Sequence, residues 1–300
     1  MIKTFSELID KAKQKGPKTI AVAVAQDRDV LSAVNNAYQQ GIIKAILVGN
    51  RVEIEAIAQE IEMDLTDFEI IDEPDKNEAC KKSVKLVHDG KASMPMKGIV
   101  DTPIILKAVL NSDFGLKSGR LLSHVGVLSI PGFSRLLIQS DAAINIVPSF
   151  REKIDIINNA VSVAHALGNE LPKVALLCAV EKVNPKMQAT IDAEELTRLN
   201  EIGEIKECLV KGPLALDNAI SIEAAKHKGI SHPVAGNADI LITPNIEAGN
   251  ILNKTLEHFC KAEKAGIIIG ANVPIILTSR AASKESKLNS IALGVLISHK

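Results

Sequence analysis

TIAVAVAQDRDVLSAVNNAYQQGIIKAILVG (19–49) decides the fold. It opens on an aliphatic run without polar alternation, passes through a stretch of helical period (27–40), and closes on a second aliphatic run, AILVG (45–49). A strand covered on both faces reads as a continuous apolar run, and two parallel strands need a crossover between them. The same rhythm extends along the chain. Strand-like runs follow at FEIID (68–72), GIVD (98–101), KVALLCAV (173–180), CLVKGPLA (208–215), ADILITP (238–244), GIIIG (266–270) and VPIILTS (273–279). Helical stretches stand near 52–62, 75–89, 103–111, 149–168, 192–203, 217–228, 246–264 and 283–297. The order predicts an α/β fold with largely parallel sheets and right-handed crossovers.

The rhythm breaks once, between Leu121 and Asp141. Two strand-like runs, LLSHVGVLSI and RLLIQSD, are joined by Pro131-Gly132-Phe133-Ser134, which reads as an antiparallel hairpin. A domain change is placed near residue 140, before the long helical stretch that starts near Ser149.

Composition narrows the function. Apolar residues make up 46% of the 300 and charged residues 24%, while aromatics are 2% (six Phe, one Tyr, no Trp). The core is therefore aliphatic, and stacking platforms for single-stranded nucleic acid are lacking. A net charge of −1 gives no global field toward DNA or an acidic membrane. Four cysteines without a C-x-x-C pair read as reduced thiols. The N-terminal stretch has no secretory h-region and no run of about 18 apolar residues occurs. A cytoplasmic protein is expected.

Familiar cofactor signatures are missing. The first strand is followed by no G-x-G-x-x-G, and there is no P-loop, no G-x-S-x-G elbow and no H-E-x-x-H. What remains is a set of polar residues at strand ends, where open α/β sheets place ligands. The strongest is LTSRAASKES (277–286): Ser279 and Arg280 end a buried strand, and a helix capped by Ser283 begins directly after. A hydroxyl, a guanidinium and a helix N-terminus at one strand end form an anion site, with phosphate the usual guest. Only seven of the 35 basic residues are Arg, which sets Arg280 apart. Lys97-Gly98 at the start of the GIVD strand, Lys186 in the 181–186 turn, Gly212-Pro213, Pro244-Asn245, and Asn250 in the following helix carry the same character.

At these segments the chain resembles the phosphate acetyl/butyryltransferase family, most closely its phosphate butyryltransferase branch. The resemblance rests on an ordered series: VAVAQ (22–26), Met96-Lys97-Gly98, GRLLSHV (119–125), EKIDIINNAVSVAHA (152–166), VNPKM (183–187), GPLALD (212–217), ADILITPNIEAGNILNKT (238–255) and LTSRAASKESKLNSIAL (277–293). It implies a two-domain α/β fold similar to isocitrate and isopropylmalate dehydrogenases, with largely parallel sheets and an interdomain cleft. Residues 1–139 and 273–300 would form the first domain, completed by the C-terminal helix, and 140–272 the second, dimerising domain. It implies a phosphate acyltransferase that interconverts a short or branched acyl-CoA plus phosphate with acyl phosphate plus CoA. Transfer would be direct within a ternary complex, with coenzyme A as substrate, no tightly bound cofactor and no metal, in a homodimer.

The resemblance also implies roles. Arg280 would hold the phosphate and Ser279 would donate where oxyanion charge develops. In the acetyl branch an aspartate proposed as the base aligns with Ser286, so Glu285, the nearest carboxylate, is the expected base here. An arginine proposed to bind CoA aligns with Lys107, which keeps charge but loses the bidentate fork. Asn145 belongs to Asp141-Ala142-Ala143-Ile144-Asn145, where the acetyl branch carries a cysteine at the position of Ala142. Lys97, Gly98, Lys186, Gly212, Pro213, Pro244, Asn245 and Asn250 would line the substrate site, and a basic cleft is expected around Arg280, Lys97 and Lys107. Three alternatives stand beside this reading: a phosphate acetyltransferase, a non-catalytic CoA-sensing protein on the same fold, and a metal- and NAD-dependent decarboxylating dehydrogenase.

Overall fold

The computed structural model describes residues 1–279 and 282–298. Its elements follow the expected rhythm: α1 (Phe5–Gln14), β1 (Lys18–Ala23), α2 (Arg28–Gln39), β2 (Ile43–Gly49), α3 (Arg51–Glu60), β3 (Glu69–Asp72), α4 (Lys76–His88), β4 (Met94–Lys97) and α5 (Thr102–Val109). The hairpin strands β5 (Ser123–Ser129) and β6 (Leu137–Ser140) come next. After them are α6 (Phe150–Ala166), β7 (Lys173–Leu177), α7 (Gln188–Glu201), β8 (Leu209–Leu214), α8 (Leu216–Ile220), α9 (Ile222–His227), β9 (Ile240–Ile242) and α10 (Ile246–His258). The chain closes with β10 (Glu263–Ile269), β11 (Ile275–Ile276) and α11 (Lys284–Ile297). Short polar side chains start many of the helices: Asp27, Asn50, Asp75, Asn245 and Ser283 each accept a first-turn N–H, and Ser149 with Glu152 forms a full capping box.

The chain divides into two compact units. The N-terminal unit comprises Phe5–Arg120 and Lys264–Lys300, the central unit Met1–Thr4 and Leu121–Glu263. The division falls earlier than the expected change near residue 140. The reason is pairing: β6 lies parallel to β9, which ties the hairpin to the central strands.

In the N-terminal unit the strand order is β3-β2-β1-β4-β11-β10, parallel throughout except for β10 against β11. α11 packs on α1 and α2 and is buried at every residue from Lys287 to Ile297, as an apolar helix without a polar face must be. Lys15 ties its end, donating from Nζ to the Leu296 and Ser298 carbonyls at 2.7 and 3.1 Å. In the central unit the order is β5-β6-β9-β7-β8, with β5–β6 the antiparallel pair. Leu128, Leu137, Ala175, Leu214, Val234 and Leu241 form its core.

Two strand expectations are corrected. β4 ends at Lys97, where the GIVD strand was expected to begin. Val100 is buried, so this run is apolar because it packs, not because it pairs; it turns into α5. The rhythm also breaks twice, not once: β10 and β11 are antiparallel, since the few residues between GIIIG and VPIIL are too short for a parallel crossover.

Candidate active site

In the N-terminal unit Lys97 and Gly98 stand at the carboxyl end of β4, and Ser279 follows that of β11. β4 pairs with β1 as far as Ala23–Lys97, and with β11 at Met96–Ile276, so the segments leaving these strands are neighbours. Val24 follows β1 at φ +57°, a left-handed conformation costly for a β-branched residue. Gly98 lies against that turn: its N–H donates to the Ala23 carbonyl at 2.8 Å, and Ile99 donates to the Val24 carbonyl at 2.9 Å. A Cβ on Gly98 would stand 2.6 Å from the Ala23 oxygen and would overlap the Val24 carbonyl. Gly98→Ala therefore has to move backbone on two strands. It is expected to cost about 3 kcal/mol, the upper end of overpacking, read as a fall in urea midpoint.

Lys97 is 3% exposed, and its Nζ donates to the carbonyls of Gly98 and Val100 at 3.2 and 3.1 Å. The ammonium ties down the turn that presents Gly98. Lys107 is exposed on α5, Ser279 is exposed just after β11, and Glu285 is exposed in the first turn of α11. Its own backbone N–H, assisted by Ser283 and Lys284, holds the Glu285 carboxyl below the ordinary carboxylate range, which makes it a weaker base. Arg280 lies outside the described residues, as therefore does any test of the basic cleft. The sequence reading passed over Lys287. It is 2% exposed, its ammonium donates to the Ala282 carbonyl, and Asp29 stands 4.0 Å away. A lysine set among the apolar residues of α11 was the available signal.

In the central unit, Asp141 organises the loop that follows β6. It is 2% exposed and accepts from four backbone N–H groups: Ala143 (2.8 Å) and Ile144 (3.1 Å) on Oδ1, His124 (3.1 Å) and Asn145 (3.3 Å) on Oδ2. The Asn145 amide adds a fifth bond at 2.6 Å and also donates to the Leu122 carbonyl. The loop closes onto β9 and α10. Thr243 Oγ1 donates to the Asp141 carbonyl at 2.9 Å, and Asn250 Nδ2 to the Ala142 carbonyl at 3.2 Å. Gly249 packs so tightly against Asp141 that a Cβ would stand 2.7 Å from Thr243 Oγ1. Asn145, Pro244, Asn245 and Asn250 are thus brought together at the carboxyl ends of β6 and β9.

The other central residues stand apart from that group. Gly212 and Pro213 sit in β8, with β7 between them and β9, and are joined by a cis peptide. Gly212 exchanges two hydrogen bonds with Thr197 Oγ1, and a Cβ there would meet Leu176 at 2.6 Å. Lys186 is exposed in the turn before α7. A buried ion pair also escaped the sequence reading: Lys153 on α6 meets Asp192 on α7 at 2.6 Å, each about 10% exposed, and Gln188 donates to the second Asp192 oxygen at 2.7 Å. Partners 39 residues apart leave no local pattern.

The profile of the family described as "Phosphate acetyl/butaryl transferase" matches residues 4–85 and 76–295. The chain belongs to this phosphate acetyl/butyryltransferase family. It is 53% identical to the phosphate butyryltransferase of Clostridium acetobutylicum over 99% of both chains. It is 44% identical to the phosphate acetyltransferase of Thermotoga maritima, over 97% of this chain and 99% of that one. Among solved structures, a branched-chain phosphotransacylase from Enterococcus faecalis V583 superposes with a TM-score of 0.83 at 35% identity, covering 94% of this chain and 99% of the other. The chain is accordingly an acyltransferase. In a phosphate acyltransferase the thioester brings its own reactivity, and the protein supplies position and electrostatics. Among the described residues no helix is long and apolar enough to cross a membrane.

Proposed function

We propose that the chain interconverts a short or branched acyl-CoA plus phosphate with acyl phosphate plus CoA, as a phosphate butyryltransferase, by direct transfer in a ternary complex. One observation carries the choice of acyl group. Identity is 53% and 51% with the phosphate butyryltransferases of Clostridium acetobutylicum and Clostridium beijerinckii, against 44% with the acetyltransferase of Thermotoga maritima. Coenzyme A is a substrate in this reading, with no tightly bound cofactor, and the fold is of the isocitrate/isopropylmalate dehydrogenase kind.

In this proposal Arg280 holds the phosphate, and Ser279 donates to the oxygen on which negative charge grows. Glu285 takes the CoA thiol proton; a thiol of pKa ~8.5 is mostly protonated at neutral pH and needs a base. The depressed Glu285 pKa means that the carboxylate is ionised and ready to accept, at some loss of basicity. Lys107 and Lys186, both exposed, offer charge to the CoA phosphates. Lys97 acts through Gly98 by fixing its turn. Gly98, Asn145, Gly212, Pro213, Pro244, Asn245 and Asn250 are further substrate contacts in this reading.

A cytoplasmic homodimer associating through the central unit completes the proposal. Its support is α10, where only Gly249 and Asn253 are buried while Ile251 and the following Phe259 are 67% and 85% exposed.

Supplied with butyryl-CoA and a thiol reagent, the protein is expected to release CoA only when phosphate is present. Release without phosphate would make it a thioesterase, and no release with any short acyl-CoA would end the catalytic reading. Comparing kcat/KM for acetyl-, butyryl- and isobutyryl-CoA decides between the butyryl and acetyl types.

A further inference from the structure

The Lys153–Asp192 pair borders a recess of about 20 Å³ in the central unit, between α6, α7 and the carboxyl ends of β7 and β9. Leu177, Leu196 and Ile242 form its apolar walls, Ala189 lies at the start of α7, and Thr243 and Pro244 complete the lining. Thr243 is the residue that bonds the Asp141 carbonyl, so the recess adjoins the loop that holds Asn145 and Asn250.

Its chemistry selects the guest. A water molecule needs about 10–15 Å³, so the recess has room for one small group such as a terminal methyl. The two charges in it neutralise each other at 2.6 Å, and Gln188 occupies the remaining Asp192 oxygen. An anion finds no net positive charge there, whereas a hydrocarbon end finds aliphatic walls. A longer chain would have to press into the pair, and separating buried opposite charges is strongly unfavourable.

We infer that this recess receives the hydrocarbon end of the acyl group and that the Lys153–Asp192 pair limits how far the chain can extend. Lys153 and Asp192 are then specificity-determining residues. The inference rests on the phosphate acyltransferase reading above and adds to it where the tail lies and what stops it.

Two variants test it, each through a ratio of kcat/KM values taken on one preparation, which cancels any inactive fraction. Ala189→Leu, which fills the recess, is expected to lower the butyryl-CoA to acetyl-CoA ratio about tenfold, the effect of roughly one methylene in an apolar pocket. Lys153→Met combined with Asp192→Leu replaces the pair by apolar groups and is expected to raise the hexanoyl-CoA to butyryl-CoA ratio by about tenfold or more. An Ala189→Leu ratio equal to that of the unaltered protein overturns the inference, as does a double variant that loses all chain lengths by one common factor. Phosphate-independent CoA release by the unaltered protein would instead overturn the underlying reading. Phosphate-dependent release with unmoved ratios overturns the recess alone.

Discussion

Arg280→Ala is expected to lower kcat by about two to three orders of magnitude, the scale on which a fixed cation or donor that clamps a reacting phosphate acts, and to raise the phosphate concentration needed for half-saturation. The chemistry behind this is the fixed charge and forked geometry of guanidinium, which matches phosphate with two parallel N–H···O bonds. Lysine keeps the charge without the fork, so Arg280→Lys should recover part of the phosphate affinity and little of the turnover. Ser279, exposed after β11, directly precedes Arg280 in sequence, and Ser283 opens α11 by accepting the Ser286 N–H at 3.2 Å. Initial rates against phosphate concentration separate the two parameters. Kinetics near those of the unaltered protein would refute the assignment.

Asp141→Ala is expected to destabilise the protein by about 4–5 kcal/mol. Its carboxylate collects four backbone N–H groups and the Asn145 amide, and truncation leaves these donors without an acceptor. Each buried donor left unsatisfied costs about 1–3 kcal/mol, although partial access of water to this loop keeps the total below the simple sum. Such a loss is comparable with the whole margin of about 5–15 kcal/mol that holds a domain folded. Urea unfolding followed by circular dichroism measures it, and a loss under about 1 kcal/mol would show that the loop holds itself. Asp141→Asn should fall between, because an amide offers one acceptor oxygen and turns a donor toward donors. In any folded fraction kcat should drop as well, since the loop carries Asn145 and bonds Asn250.

Periodicity carried the fold a long way. The apolar runs at 19–25, 45–49 and 173–180 became β1, β2 and β7, because strands covered on both faces leave that signature. Turn chemistry gave the β5–β6 hairpin through Pro131-Gly132. Where reading failed, the deciding contact was distant in sequence. GIVD was apolar enough for a strand, yet only the packing of Gly98 on Val24 reveals a turn. The short connection between GIIIG and VPIIL, with no helical stretch in it, is the local signal of an antiparallel β10–β11 pair. Lys97 was legible as a cation at a strand end, whereas the Gly98 and Val100 carbonyls that it bonds come from a backbone path no spacing encodes. Asp141 was in view within the quoted Asp-Ala-Ala-Ile-Asn segment, but its five bonds depend on a loop curled around one carboxylate. The Lys153–Asp192 pair joins two helices and was out of reach.

The placement of β10, β11 and α11 has a consequence for the order of synthesis. β11 lies between β4 and β10 in the N-terminal sheet, and α11 covers α1 and α2, yet all three are made after residue 262. The segment Phe5–Arg120 therefore waits, with β4 lacking its neighbour, until residues 264–297 emerge. At about 5–20 residues per second, the whole intervening central unit must be translated during that wait. The central unit has its own strands together by Glu263 and can fold first. A released chain truncated after Glu263 should thus protect the central unit from protease while leaving Phe5–Arg120 open to cleavage.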